Sequence, residues 1–368
     1  MKTEREAQAH RFFLVLFKDG KLLCEVPLEA ASFEPAWECA RFLEMRHGRL
    51  PAIFDDGIAH PAVPIWDLQA GAPYLKGFHF GSLFQAGEEA VETCVPDAGT
   101  PLSCFSGVAQ GAAEILLKDG KLKKGDVVTY RVCAVPCERS SSDDEIATPF
   151  SVEEIAEPLP LREGSLHEFY GDASPNGEPD PRQMPVFVSS QIIEETLALK
   201  EKAREVETGG ILIGHLIRDR SVPEIFAHVT AQLPALHTQA TVSKLTFTPE
   251  TWTAAERAMK LRRKDEMILG WWHSHTCRYW PSCAKCEISK RRQCKLMRSF
   301  FSSDDDALHS EIFPRAYSIA LVVGDVLAED GSWRVSEALF GWESGSVAER
   351  GFHVLAGARS SPASMTKA

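Results

Sequence analysis

The sequence predicts an α+β protein of two domains, with an α/β-like mixed sheet in the second one. The chain has 368 residues, 44% hydrophobic and 25% charged, which suits a globular protein long enough for two domains. Apolar residues recur with strand-like and helix-like spacing in both halves. Between the halves, residues 138–183 are acidic and rich in proline, glycine and serine, which is typical of a linker, with a short docked piece expected near 166–170.

The first domain is predicted to span residues 1–137. Residues 11–28 favour a β-hairpin, because two apolar, β-prone runs flank the turn sequence at 18–21. A helix is predicted at 34–46 and a strand at 127–135. A hairpin followed by a helix begins many α+β folds, so the fold of this domain stays open. We expect it to recognise a substrate or a partner.

The second domain is predicted to span residues 184–357 and to be followed by a flexible polar tail at 358–368. Strands and helices are mixed along it, which indicates an α+β or α/β architecture. The predicted strands are 186–188, 209–216, 224–232, 267–272, 318–324 and 333–341, and the predicted helices are 190–205 and 247–264.

Composition and charge argue against several classes of protein. No apolar run approaches the ~18 residues that cross a bilayer, and the first ten residues lack the apolar segment of a secretory signal. A formal net charge of −12 argues against general binding to nucleic-acid phosphates. Ten cysteines without a signal peptide point to reduced thiols or metal ligands. We therefore expect a cytoplasmic protein without a membrane partner.

The segment His273-Ser274-His275 follows the predicted strand at 267–272. Because alternate side chains of an extended segment point the same way, both imidazoles can face one point. Two imidazoles and one carboxylate form a common catalytic zinc set that leaves one position for water. A His-x-His pair alone is also found among ordinary polar surface residues. Other residues are therefore needed to distinguish a metal site from two surface histidines.

Two further segments offer oxygen ligands and acids. Ser302 and Asp305 are three residues apart and would lie on neighbouring faces of a helix beginning there. The same residues suit a helix N-cap, and both interpretations can hold together. Glu207 stands just before a glycine-rich apolar strand, although a single glutamate at a strand start is more often simply exposed.

Together, Glu207, His273-Ser274-His275 and Ser302-x-x-Asp305 resemble the signature of the JAB/MPN domain metallopeptidases, also called the JAMM family. The resemblance covers about residues 184–357, and the segments 300–315 and 340–354 resemble the prokaryotic branch. It implies that His273, His275 and Asp305 bind a catalytic Zn²⁺ together with a water. Glu207 would be the general base, and Ser302 would steady the water or the oxyanion.

The alternative register, Ser303 with Asp306, fits the surrounding family positions less well.

The resemblance also implies a function. Active members are zinc-dependent isopeptidases or peptidases that cleave at the C-terminus of a ubiquitin-like protein, in deconjugation or precursor processing. In prokaryotes they commonly occur beside activating and conjugating enzymes, which are therefore expected partners. The alternatives are a non-catalytic MPN scaffold or assembly module, and a peptidase that processes a sulfur-carrier protein. The complete set of five site residues argues against the scaffold.

Residues 276–301 depart from the family, in which the segment between the second histidine and the serine is much shorter. This insertion contains Cys277, Cys283, Cys286 and Cys294. Four thiolates can enclose a tetrahedral structural zinc that would give the insertion a core, so a second Zn²⁺ is predicted there. The alternative is four free or buried thiols. The insertion is also basic, and could serve as a lid or an arm that contacts an acidic partner.

Overall fold

The computed structural model of the protein divides into two units, one built mainly from residues up to 159 and the other mainly from residue 160 onward. The structure describes residues 10–29, 32, 34–48, 62–67, 74–80, 105–136, 159–235, 238–240, 245–294, 299–343 and 345–356. The predicted tail at 358–368 lies outside the described residues.

The first unit contains five strands and two helices in its described part. They are β1 (His10–Lys18), β2 (Lys21–Leu28), α1 (Glu34–Arg46), β3 (Ala62–Asp67), β4 (Tyr74–Phe80), α2 (Ser106–Lys118) and β5 (Thr129–Pro136). The strands form one sheet in the order β2-β1-β5-β4-β3, and each neighbouring pair is antiparallel.

The predicted hairpin and the helix at 34–46 are confirmed, and the predicted strand at 127–135 begins at Thr129. The hairpin turn has Asp19 and Gly20 at φ values of 50° and 73°, the left-handed backbone that matches the twist of paired strands. The sequence did not reveal α2. Its buried residues Ala109 and Leu116 pack with Leu14 of β1 in the core of this unit.

The second unit contains the remaining elements. Its strands are β6 (Leu161–Glu163), β7 (Ala173–Asn176), β8 (Val186–Ser189), β9 (Gly209–Asp219), β10 (Glu224–Pro234), β11 (Thr238–Ala240), β12 (Leu245–Phe247), β13 (Met267–Ser274), β14 (Ile319–Leu327), β15 (Trp333–Glu343), β16 (Ser346–Arg350) and β17 (Phe352–Leu355). Its helices are α3 (Leu166–Gly171), α4 (Ser190–Ala203), α5 (Pro249–Arg262), a 3₁₀ turn (Cys277–Tyr279), α6 (Pro281–Ala284), α7 (Ile288–Arg292) and α8 (Ser303–Ile312).

Nine of these strands follow the order β16-β15-β14-β13-β9-β10-β8-β17-β7, and β6 pairs with β9 to complete a ten-stranded sheet. Pairing is mixed: β13 is parallel to β14 and antiparallel to β9, and β8 is parallel to both β10 and β17. The strands β11 and β12 form a separate ribbon. The protein is therefore α+β with a mixed sheet, and all eight elements predicted in the second half are confirmed.

The expected linker at 138–183 needs a correction in its second half. Residues 161–163 and 173–176 form β6 and β7, which pair with β9 and β17, and α3 lies between them. Phe169 of α3 packs against Phe187 and Phe226 with ring centroids 5.1 and 4.8 Å away. β6 and β7 carry few apolar residues of their own, so their order comes from strands distant in sequence. α3 is the docked piece expected near 166–170, and its Leu166 and Phe169 pack against the buried cluster around Phe187 and Phe226.

The central strands of the large sheet are buried on both faces. Residues 209–217 of β9 and 319–325 of β14 are all buried, as expected for strands whose neighbours are covered on both sides. The core around β13 includes Trp271, Phe313 and Phe340. β13 lies between β9 and β14, so its end is held from two sides.

Among the helices that the structure describes, none is long and apolar enough to cross a membrane.

At Gly270, β13 approaches β14 too closely for a side chain. A Cβ atom there would lie 1.8 Å from the carbonyl oxygen of Ile319, so a side chain would force the two strands apart. We expect Gly270→Ala to lower the free energy of unfolding by about 2 kcal/mol or more. Urea unfolding followed by circular dichroism measures this change.

Gly111→Ala in α2 is the matched control, because no atom lies within 4 Å of the added Cβ. Alanine is the better helix former by about 0.5–1 kcal/mol, so this variant should be slightly stabilised. Equal stability of Gly270→Ala and the unsubstituted protein would contradict the close approach of β13 and β14.

Candidate metal centre

Three elements bring the predicted site residues together where the central strands β13 and β9 of the large sheet end and begin. β13 ends at Ser274, β9 begins at Gly209, and α8 begins at Ser303. His273 pairs with Gly209 on one side and with Val322 on the other. Because β9 runs antiparallel to β13, its start lies beside the end of β13. The first turn of α8 adds its side chains at the same place.

The two histidines and one aspartate converge as predicted. His273 Nε2 lies 3.2 Å from His275 Nε2 and 3.4 Å from Asp305 Oδ1. One donor atom from each of the three residues lies within 4.8 Å of the other two. Both histidines are buried, and Asp305 is partly buried. Asp306, from the alternative register, is not part of this group.

Ser302 and Asp305 form a capping box at the start of α8. The Ser302 hydroxyl oxygen accepts a hydrogen bond from the Asp305 backbone N–H (3.1 Å), and Asp305 Oδ2 accepts one from the Ser302 backbone N–H (2.8 Å). This arrangement leaves Asp305 Oδ1 facing His273. The N-cap interpretation is therefore confirmed. The ligand role of Asp305 stays a prediction that this geometry is compatible with, and none of the hydrogen bonds seen among the described residues uses the Ser302 O–H as a donor.

The charge state of Asp305 follows from the same contacts. Burial would raise its pKa, but the proximity and hydrogen bonding of His273 and the hydrogen bonds with Ser302 outweigh burial and lower the pKa to about 2. The carboxylate is therefore ionised at neutral pH, the form that binds a metal ion.

Trp271 and His309 connect the histidine strand to α8. The Trp271 ring stacks on His273, with centroids 4.8 Å apart and planes 16° from parallel. Trp271 Nε1 donates a hydrogen bond to Nδ1 of buried His309 (3.1 Å), one helical turn beyond Asp305. Burial lowers the pKa of His309 to about 4, so its ring is neutral and Nδ1 can accept. Neither Trp271 nor His309 is among the site residues predicted from the sequence, although the spacing of Asp305 and His309 puts them on one helix face.

Glu207 is held beside the histidines by backbone pairing. Ser274 N–H donates to the Thr208 carbonyl (2.8 Å), and Thr208 N–H donates to the Ser274 hydroxyl (3.1 Å). Burial raises the pKa of Glu207 to about 7; His273 opposes this rise, and the Asp305 carboxylate adds to it. A carboxyl group with this pKa can both accept and release a proton near neutral pH.

Two of the three spacings between the donor atoms match those around a tetrahedral metal ion. Ligands held about 2.0–2.1 Å from a tetrahedral Zn²⁺ stand about 3.3 Å from one another. The two distances from His273 Nε2, 3.2 and 3.4 Å, match this value. Two nitrogens and one oxygen also form a donor set suited to zinc.

The cysteine insertion is folded in its described part. Cys277 and Cys283 are buried, Cys294 is partly buried, Cys286 is exposed, and all four are free thiols. Burial, followed by neighbouring thiols, raises the pKa of Cys277 to about 12. Among the described residues, the His–His–Asp group is the one set of three whose donor atoms all lie within 4.8 Å. The second zinc at the four cysteines stays a prediction.

Comparison with known proteins adds little to this geometry. No family model matches the chain, and no curated protein matches it. Among solved structures, the chain is similar to the solution structure of protein DSY2949 from Desulfitobacterium hafniense, at 19% sequence identity and a TM-score of 0.32. That match covers 47% of this chain and 95% of the other. A likeness this distant does not define the fold.

We expect the purified protein to contain about two zinc ions per chain, one at the His–His–Asp group and one at the cysteines. Elemental analysis by plasma mass spectrometry gives the ratio. His275→Ala should remove one ion and Cys283→Ser the other, because each substitution deletes one ligand of one set. A ratio near one that Cys283→Ser leaves unchanged would contradict the structural site.

Cys133→Ser is the control for the cysteine substitution, since Cys133 is a buried free thiol in the first unit. This variant should keep the zinc content of the unsubstituted protein.

Proposed function

We propose that the second unit is a JAB/MPN-type domain of the prokaryotic branch of the JAMM metallopeptidases. On this proposal, the chain is a zinc-dependent isopeptidase or peptidase that cleaves at the C-terminus of a ubiquitin-like protein, in deconjugation or precursor processing. The observation that supports it best is the convergence of His273, His275 and Asp305, whose donor atoms all lie within 4.8 Å of one another. Glu207 and Ser302 stand beside this group, in the order of the family signature.

Zinc bound by these three residues would polarise the scissile carbonyl and lower the pKa of its water to about 7. The protein's own residues supply the proton transfers. The Glu207 carboxylate would accept a proton from the attacking water. It would then donate this proton to the departing amine. Its pKa of about 7 suits both steps, since a general base works best when its pKa lies near the working pH.

Ser302 is placed to stabilise the negative charge that develops on the carbonyl oxygen. Its oxygen is fixed by the Asp305 N–H, so its O–H can donate without first reorganising. Loss of one such donor commonly slows a reaction by about 10²–10³-fold. The capping box therefore gives Ser302 a fixed position and leaves it one unused hydrogen.

On the same proposal, the protein works in the cytoplasm and its partners are a ubiquitin-like substrate and the activating or conjugating enzymes of that system. The buried free thiols are compatible with a reducing compartment. The first unit would recognise the substrate or a partner.

We expect the purified 368-residue chain to cleave ubiquitin carrying a C-terminal peptide extension, or lysine-linked diubiquitin. Glu207→Gln should slow cleavage by at least about 10²-fold, because it removes the general base, and it should keep the zinc content. Treatment with 1,10-phenanthroline should abolish cleavage, and added zinc should restore it. Gel electrophoresis and mass spectrometry of the products measure these effects.

Glu194→Gln is the matched control, since it makes the same chemical change at an exposed position of α4. Full activity in Glu207→Gln would contradict the general-base role. Failure to cleave any substrate would favour the scaffold function. Cleavage only of a C-terminally extended sulfur-carrier protein would favour sulfur-carrier processing.

A further inference from the structure

The connection between α4 and β9, residues 204–208, carries Glu207 but is weakly held by its own packing. Arg204, Glu205 and Val206 are all exposed. Arg204 has a φ of 55°, a backbone conformation that a residue with a side chain rarely adopts. Such a conformation persists only when surrounding contacts hold it. The position of Glu207 therefore depends on contacts from outside this connection.

Thr276, the residue after the second histidine, supplies one such contact. Its side chain is fully buried. Its hydroxyl donates to the backbone carbonyl of Glu205 (3.2 Å) and accepts from Nε1 of Trp280 (3.3 Å). Thr276 thus joins the end of the histidine segment to the chain two residues before Glu207.

Glu201, in the last turn of α4, is held from the same side. The Tyr279 hydroxyl donates to Glu201 Oε2 (2.5 Å), and the Arg278 guanidinium lies 3.7 Å from Glu201 Oε1. These contacts come from the 3₁₀ turn that follows Thr276. They fix the end of the helix from which the connection departs.

Arg278 in turn anchors this turn to the sheet. Its guanidinium lies 3.5 Å from Asp325 of β14. Asp325 is buried and forms a 2.7 Å ion pair with buried Lys200 of α4. A buried charge is costly to leave unpaired, so this network resists displacement of either α4 or the insertion.

A small core, here called the thiol cluster, is built on Cys277 and Cys283 and packs the start of the insertion together. Buried Cys277 and Cys283 pack with Trp280 and Trp333, and Trp333 belongs to β15. Trp280 is also the residue that donates to Thr276. The cluster therefore orients the indole that completes the hydrogen bonding of Thr276.

We infer that residues 276–280, the start of the cysteine insertion, position the general base by holding the connection 204–208. Thr276 is the central positioning residue, and Tyr279 supports it through Glu201. This inference rests on the proposed function in one respect only, the identity of Glu207 as the base. The contacts themselves are independent of any substrate.

Thr276→Val tests the inference, because valine keeps the shape of threonine and removes its hydroxyl. We expect amide hydrogen exchange in residues 204–208 to become at least about 10-fold faster as the connection loosens, while β13 keeps its protection. Mass spectrometry of peptides from the 368-residue chain measures both regions. Elemental analysis should show an unchanged zinc content.

In the cleavage assay, kcat should fall about 10–100-fold, since a displacement of about 1 Å can cost about 10²-fold. KM should change by less than about twofold, because substrate binding is not altered. Thr276→Ser, which keeps the hydroxyl, should restore both kcat and slow exchange. Tyr279→Phe should move both quantities in the direction of Thr276→Val.

Lys290→Ala is the matched control, since Lys290 lies in the same insertion with an exposed side chain, and it should behave as the unsubstituted protein. Unchanged exchange at 204–208 in Thr276→Val would overturn the inference, as would a serine variant that exchanges as fast as the valine variant. If the unsubstituted protein cleaves none of the substrates, the proposed function fails, and hydrogen exchange still decides the positioning role.

Discussion

The candidate site depends above all on the pairing of β13 with β9 and β14. β13 is the one strand that contacts both, antiparallel on one side and parallel on the other. This pairing places the start of β9 beside the end of β13, and the end of β13 beside Val322 and Val323 in the middle of β14. His273 and His275 are two residues apart in the extended chain there, so both rings point to the same side. The His275 N–H donates to the Val323 carbonyl (2.8 Å), which extends the register past the end of β13.

The capping box of α8 uses the two carboxylate oxygens of Asp305 for different contacts. It satisfies two N–H groups at the helix start, and it divides the Asp305 carboxylate between the backbone and the histidines. A carboxylate in the first turn is also favoured by the helix dipole. A substitution of Asp305 would therefore remove a ligand and a helix cap together. His275 is the cleaner residue to substitute, because its ring has no part in the cap.

Much of this arrangement can be predicted from the sequence. The strands at 209–219 and 319–327 are apolar along most of their length, and the N-cap at Ser302 has a recognisable local pattern. Local signals fail where order comes from distant partners. β6 and β7 lie in an acidic, proline-containing segment, and pairing with β9 and β17 makes them strands. In α2, Gly107 and Gly111 weaken the helical signal, and packing of Leu116 compensates. The contact of Trp271 with His309 likewise joins elements far apart in sequence.

A long insertion beside the site is compatible with this geometry because both of its ends are fixed to neighbouring strands. At its start, Arg278 contacts Asp325 of β14. At its end, the Ser299 hydroxyl lies 2.8 Å from that of Ser336 on β15. Asp325 pairs with Val335 in the sheet, so the two anchors lie close together. Lengthening a loop whose ends are already fixed costs little entropy. The insertion can therefore fold on its own thiol cluster without displacing the histidines, and its first residues remain free to brace the connection that carries Glu207.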